Sequence, residues 1–388
     1  MSRPTKKPIL FSEHVPDDVV YDILTRMPVK SLIRFRCVSK FCNSIITDPD
    51  FVTTHFNLSN NNINNHNGYL LYTPKGDKEL CTVVWNKNRT FNHISRFEIP
   101  FSDDYYIDSF CKGLVCLANY DDNLSHELYL WNPSIRKFKK LRATRFGGRF
   151  QNVVLGLAYR CQYNDFKILR IVCHRRYKRQ RVTKTEAEVY TLSTDSWREV
   201  EVSVESLRGN DIGCNFYLDH TSPCVFFNGV LHSIAKNIGN DDKFILSFDL
   251  NDERFREIML PRDYLDGISG RFECLAAFKE SLAFIVFGEG LVDLTGICHI
   301  WVMREYGVVE SWTKKCILMG LFYTSFYDCI DTGEFLVQNV NGLVSFDPES
   351  LNEDFLEINN KDWVHYTTDS LENLVLLDGV NVPSEHEE

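Results

Sequence analysis

The sequence has no run of about 18 apolar residues, the length that a membrane-spanning helix needs, so we expect no membrane contact. Arg3, Lys6 and Lys7 are followed by Asp17 and Asp18 rather than by an apolar stretch, and we expect no secretory signal. The 13 cysteines include no Cys-x-x-Cys pair. We therefore predict reduced thiols in a cytoplasmic or nuclear protein, or one found in both places.

Motifs for catalysis and for metal binding are also missing. The chain lacks a phosphate-binding loop, a nucleophile elbow and a His-Glu-x-x-His pair, and its 11 histidines are spread along the sequence. We predict no catalytic residue, no metal site and no cofactor. The net charge of −10 opposes binding to nucleic acid and would attract a basic partner.

The chain changes character along its length, which predicts a small domain followed by a large one. We expect a flexible N-terminus over 1–10, a helical domain over 11–56 and an Asn-rich linker over 57–67. Short apolar runs separated by Gly, Asn, Asp and Pro predict a β domain over 68–380. An acidic tail follows over 381–388.

Three short amphipathic helices are predicted in the first domain. Pro16 suits a helix start, and the apolar residues that follow it up to Met27 recur with helical spacing before Pro28 ends the helix. A second helix runs through Phe35, and Ser39 can cap a third. So small a domain buries little core alone, which favours a partner protein. The alternative is a helical cap packed on the rest of the same chain.

These helices resemble the F-box motif of plant proteins. The resembling stretches are Val15-Pro16-Asp17-Asp18, Ile23-Leu24-Thr25-Arg26-Met27-Pro28-Val29-Lys30-Ser31-Leu32, Phe35-Arg36-Cys37-Val38-Ser39-Lys40 and Asp48-Pro49-Asp50-Phe51. The resemblance implies docking to a Skp-type adaptor, and through it to a cullin. The residues implied to face the adaptor are Pro16, Val20, Ile23, Leu24, Pro28, Leu32 and Val38. Cys42 stands where the family usually has Trp, which implies either weaker docking or a space filled by Phe41.

A repeated unit organises the β region. Each copy has a strand that ends in an aromatic residue, a polar turn, and a second aromatic residue that opens the next strand. The second aromatics are Phe91, Phe138, Trp197, Phe255, Trp312 and Phe355. Spacings of 43 to 59 residues fit propeller blades of about 40–50 residues with insertions. We predict an all-β propeller of about six blades, with seven blades, an open sheet or a sandwich pair as alternatives, and we expect the aromatics to pack between blades.

Other apolar runs between the units predict further strands, among them Phe226-Phe227-Asn228-Gly229-Val230-Leu231-His232. The β region resembles the kelch-like F-box-associated domain of plants, in Leu130-Trp131-Asn132-Pro133, in Tyr190 through Trp197 and in His299-Ile300-Trp301-Val302-Met303. The double glycine of ordinary kelch repeats is missing. Together the two resemblances imply a non-catalytic, substrate-recognition subunit of an SCF ubiquitin ligase.

The last of these stretches, His299-Ile300-Trp301-Val302-Met303, also resembles the S-locus F-box proteins of self-incompatible plants, whose implied target is a basic ribonuclease. Alternatives are a propeller enzyme or lectin, and a scaffold that binds proteins without directing ubiquitin transfer. A basic run within 174–184 is a hypothetical import signal or substrate contact, or simply a solvated hairpin loop. The basic residues singled out in it are Arg175, Arg176, Lys178, Arg179 and Arg181. Further candidate substrate loops are 103–108, 143–152, 205–222 and 262–271.

Overall fold

A computed structural model describes most of the chain. The residues described are 15–61, 68–76, 78–85, 94–99, 105–119, 127–141, 146, 150–174, 185–204, 216–218, 224–238, 242–291, 295–319, 323–358, 361–368, 371–376 and 380–381. No helix within them is both long and apolar enough to span a bilayer.

Four helices form the N-terminal part: α1 (Asp17–Thr25), α2 (Val29–Phe35), α3 (Lys40–Ile46) and α4 (Pro49–Asn61). The Ser39 hydroxyl accepts a hydrogen bond from the Cys42 amide at 3.0 Å, which confirms Ser39 as the cap of α3. The prediction of a small all-α domain is confirmed, with one helix more than the three expected. Asp48-Pro49 starts α4 because the Asp48 carboxylate accepts from the Asp50 amide at 2.8 Å and proline suits a first helical turn.

Six antiparallel sheets follow, which confirms the predicted six-bladed propeller. Blade one contains β1 (Gly68–Pro74), β2 (Glu79–Trp85), β3 (Ile94–Glu98) and β25 (Lys361–Thr367). Blade two contains β4 (Tyr105–Cys111), β5 (Leu114–Asn119), β6 (Leu128–Asn132), β7 (Lys137–Lys140) and β26 (Val380–Asn381). Blade three contains β8 (Phe150–Arg160), β9 (Asp165–His174), β10 (Thr185–Thr191) and β11 (Ser196–Val200).

Blade four contains β12 (Phe216–Leu218), β13 (Val225–Phe227), β14 (Val230–Asn237), β15 (Lys243–Asp249) and β16 (Phe255–Met259). Blade five contains β17 (Ile268–Phe278), β18 (Ser281–Gly290), β19 (Gly296–Met303) and β20 (Trp312–Met319). Blade six contains β21 (Tyr323–Cys329), β22 (Phe335–Asn339), β23 (Gly342–Phe346) and β24 (Glu353–Phe355).

The ring closes because the late strand β25 pairs with β1 and completes blade one. The strands at the inner edges of neighbouring blades contact one another around the ring, as β4 does with β8 and β21 does with β25. A closed ring of blades hides the sheet edges that a single blade would leave open.

In blades two to six, the predicted aromatic units form the hairpin of the last two strands. In three blades the two aromatics are direct cross-strand partners: Trp131 with Phe138, Tyr190 with Trp197, and Phe248 with Phe255. Trp312 is buried as expected, but its partner is Met303. Phe355 contradicts the expected packing, because it lies opposite Val344 and is 54% exposed. Phe91 lies outside the described residues.

Candidate functional site

The four helices, here called the helical domain, bury one face and expose another. The buried cluster contains Leu24, Val29, Leu32, Ile46 and Phe51. Exposed large apolar side chains lie just before α1, on α1, on the turn between α2 and α3, and on α3: Val15, Val19, Ile23, Val38 and Phe41. We call these five residues the outer apolar face. An apolar surface of this kind on a small domain typically marks a protein contact.

The seven residues implied to face the adaptor fall into two groups in the structure, one at least partly exposed and one buried. Ile23 is 53% exposed and Val38 is 70% exposed. Pro16 and Pro28 are exposed as well, and Val20 is partly buried. Leu24 and Leu32 lie inside the buried cluster, with Leu24 only 2% exposed, so their side chains stabilise the helical domain and present no free surface.

Cys42 is half-buried and packs against the interior cluster of the helical domain. Its neighbour Phe41 points to solvent, so Phe41 does not fill space beside Cys42 in the interior. The aromatic ring instead enlarges the outer apolar face.

The inner side of the helical domain is seated on blades two and three. Ile135, in the connection between β6 and β7, belongs to the same buried cluster as Leu24. On α4, the ring of Phe56 packs on Tyr159 and Phe166, with ring centroids 4.9 Å and 5.9 Å apart. A cleft of about 590 Å³ remains between α4 and these two blades.

His55, also on α4, joins the helices to one another. Its Nε2 lies 3.0 Å from the carbonyl oxygen of Met27, in the turn between α1 and α2. Burial lowers the pKa of His55, while this backbone contact and the nearby Glu372 oppose the shift. The ring therefore favours the neutral form.

The helical domain packs against one face of the propeller. It contacts the β6–β7 connection and the β8–β9 turn, which lie at the same end of their strands. Antiparallel strands reverse at each connection, so the β7–β8 and β9–β10 connections lie at the other end, which we call the distal face. Thr185 pairs with Cys173 at the distal end of blade three.

The described strand ends beside the candidate substrate loops lie on the distal face. β9 and β10, which flank the basic run, pair with each other, and Arg175, Arg176, Lys178, Arg179 and Arg181 lie outside the described residues. Loops 103–108, 143–152, 205–222 and 262–271 each include the start of a first strand: β4, β8, β12 and β17. Those starts pair at the distal ends of their blades.

The distal face of blades five and six also exposes apolar side chains. Leu265 precedes β17, Leu291 follows β18, and Val340 lies between β22 and β23. Within the described part of the chain, no group of three or more His, Cys, Asp or Glu is placed to hold a metal. The geometry suits protein contacts on two opposite sides of the molecule.

Comparisons with known proteins agree with this division. The F-box domain model matches residues 13–54, and the model described as F-box associated beta propeller domain matches residues 88–373. F-box/kelch-repeat protein At3g23880 of Arabidopsis thaliana is 26% identical over 322 residues, covering 80% of this chain and 82% of the relative. F-box protein CPR1 of the same plant is 25% identical over 313 residues, covering 77% and 72%.

Among solved structures, TolB from Acinetobacter baumannii aligns with a TM-score of 0.41 and 8% identity, covering 77% of this chain and 66% of that one.

Proposed function

Since the chain belongs to the family of F-box proteins that carry an F-box associated β-propeller domain, we propose that it is a substrate-recognition subunit of an SCF-type ubiquitin ligase. In this proposal the F-box domain binds a Skp-type adaptor and, through it, a cullin. The propeller holds a target protein for ubiquitination, and the chain itself catalyses no step. Holding the target near the ligase raises its effective concentration there.

One observation carries the adaptor half of the proposal. The five residues of the outer apolar face are exposed while the F-box domain is packed on the propeller, so a second protein can reach them while that contact is kept. Burying these side chains in an interface removes apolar area from water and favours association. The adaptor contact is assigned to Ile23 and Val38, with Pro16, Val20 and Pro28 around them.

The test is adaptor binding by purified full-length chain. We expect Val38→Asp to weaken binding to a Skp-type adaptor by about tenfold or more, because it places a charge in an apolar interface. Leu318 is the matched control: it is also 70% exposed but lies on blade five, and Leu318→Asp should bind as the unchanged chain does. Failure of the unchanged chain to bind any Skp-type adaptor refutes the ligase proposal.

The target half of the proposal assigns binding to the distal face. Support comes from the exposed Leu265, Leu291 and Val340, and from the strand ends beside the candidate loops, which lie at the same end of the blades. Loops on a rigid scaffold commonly carry recognition. The net charge of −10 favours a basic target, and the S-locus resemblance, with its implied basic ribonuclease, stays a prediction.

Replacing 174–184 with a Gly-Ser linker tests the basic run. A substrate role predicts a change in the proteins that co-purify when degradation is blocked, and an import role predicts loss of nuclear signal from a fluorescent fusion. No change in either readout leaves the segment as a solvated hairpin connection. The same fusion tests the proposed cytoplasmic or nuclear location.

A further inference from the structure

Residues 371–376 lie between the two domains, although they come near the end of the chain. They follow β25, which closes blade one, and they precede β26, which pairs with β7 at the outer edge of blade two. On the way they cross the side of the propeller on which the F-box domain is seated.

On one side this segment forms part of the F-box interior. Leu374 is fully buried in the same cluster as Leu24, Val29 and Leu32. The Val29 amide, at the start of α2, donates a hydrogen bond to Oε2 of Glu372 at 3.1 Å. Both contacts join residues more than 340 positions apart in the sequence.

On its other side the segment is fixed to blade two by buried amides. The side-chain amide of Asn132 donates to Oδ1 of Asn373 at 2.8 Å and to the Val375 carbonyl oxygen at 2.8 Å. Asn373 in turn donates to the Lys112 carbonyl oxygen at 2.7 Å. Asn132 and Asn373 are both buried, so these bonds exchange little with water.

Gly113 permits this close approach. A Cβ atom there would lie 2.5 Å from the Asn373 side chain and 2.6 Å from the Leu371 carbonyl oxygen. Its φ of +81° is also a conformation that favours glycine. The turn between β4 and β5 therefore accommodates the segment without steric conflict.

Further buried contacts between the domains include those of Ile135 and Phe56, and a cleft lies beside α4. An interface between domains of one chain allows relative motion unless enough contacts hold it. Residues 371–376 supply those contacts, because they are anchored in both domains at once.

We propose that residues 371–376 form a clamp that fixes the orientation of the F-box domain on the propeller, and thereby selects which lysines of a bound protein ubiquitin reaches. The second half rests on the proposed ligase function. A fixed orientation places the adaptor-bound ligase and the distal face in one geometry, so transfer is confined to lysines within that geometry.

The experiment uses the full chain with Leu374→Ala, and with Glu372→Ala as a milder variant that removes the acceptor for the Val29 amide. The matched control is Leu356→Ala, a buried leucine between blades one and six that does not contact the F-box domain. In Leu374→Ala we expect amide hydrogens of α2 to exchange at least about thirtyfold faster, since a buried leucine is lost from that interior. Small-angle scattering should show a broader distribution of domain separations.

The two halves of the proposal fail separately. Unchanged α2 exchange and scattering in Leu374→Ala, or an equal change in Leu356→Ala, refutes the clamp. In a reconstituted ligase, mass spectrometry of ubiquitin on the chain's own lysines should show more modified positions in Leu374→Ala than in the unchanged chain. The same set of positions in both refutes the role in directing transfer. If the unchanged chain does not bind the adaptor, the proposed function fails, while exchange and scattering still decide on the clamp.

Discussion

Ile23 and Leu24 are neighbours in α1 that face opposite environments, so replacing each with alanine separates adaptor binding from folding. Ile23 lies on the outer apolar face, and Leu24 lies in the interior of the F-box domain. The two substitutions remove side chains of the same size from adjacent positions. A difference between them therefore reports the environment of each side chain rather than the position in the chain.

The exposed fractions set the expected magnitudes. Burying a whole isoleucine is worth about 1.5–3 kcal/mol, and about half of Ile23 remains to be buried by a partner. Ile23→Ala should therefore raise the adaptor Kd about five- to tenfold and change the free energy of unfolding by less than about 0.5 kcal/mol. Leu24→Ala removes a side chain that is only 2% exposed. It should lower the stability of the F-box domain by about 2–5 kcal/mol.

Calorimetric titration with the adaptor measures the first effect, and urea unfolding followed by hydrogen exchange in α1–α3 measures the second. Leu24→Ala should weaken binding only as far as it lowers the folded fraction. If Leu24→Ala weakens binding while stability stays unchanged, the assignment of Leu24 to the interior is wrong. If Ile23→Ala changes neither quantity, the outer apolar face is not the adaptor contact.

Two further predictions concern the propeller. Arg170 and Glu188 form a fully buried ion pair in blade three, with Nη1 and Oε1 2.8 Å apart. Arg170→Met should lower the free energy of unfolding in urea by about 3–5 kcal/mol, and adding Glu188→Leu should restore most of that stability. A double variant less stable than the single one contradicts this reasoning. Burial lowers the pKa of His232 to about 4. The unfolded chain takes up a proton below about pH 6.5, so this group removes up to about 3 kcal/mol as the pH falls from 6.5 to 4. His232→Gln should reduce the pH dependence of stability in that window, and equal slopes for both proteins count against the assignment.

The six-bladed fold could be predicted because its repeated unit is local. Trp131 and Phe138, or Tyr190 and Trp197, are close in sequence and pair across one tight hairpin, so the pattern that forms the contact is continuous in the chain. The F-box helices could be predicted for the same reason. Their apolar spacing and the Ser39 cap are contained within single turns of helix.

Errors arose where a local pattern has two structural solutions. The predicted strand from Phe226 to His232 is a hairpin, because Asn228 and Gly229 both adopt positive φ, at 57° and 79°, and reverse the chain. Phe355 matched the aromatic repeat, but Glu353 takes the place opposite Phe346 and leaves the ring two residues further along the strand. Phe346 and Glu353 have the same separation in the chain as Trp131 and Phe138, so the hairpin is unchanged and only the second aromatic residue is displaced.

The seat of the F-box domain depends on contacts that no local pattern encodes. The prediction that so small a domain needs a partner is partly met within the chain, since Leu374 and Ile135 complete its interior. Leu374 is one apolar residue near the C-terminus, with no periodicity to connect it to α1 or α2. Leu374 reaches the F-box interior only because β25 closes the ring and the chain then continues to blade two. The two alternatives for the helices, a cap on the same chain and a hook for another protein, therefore describe opposite faces of one domain. The propeller and residues 371–376 cover the interior face, and the outer apolar face stays exposed, where we propose that the adaptor binds.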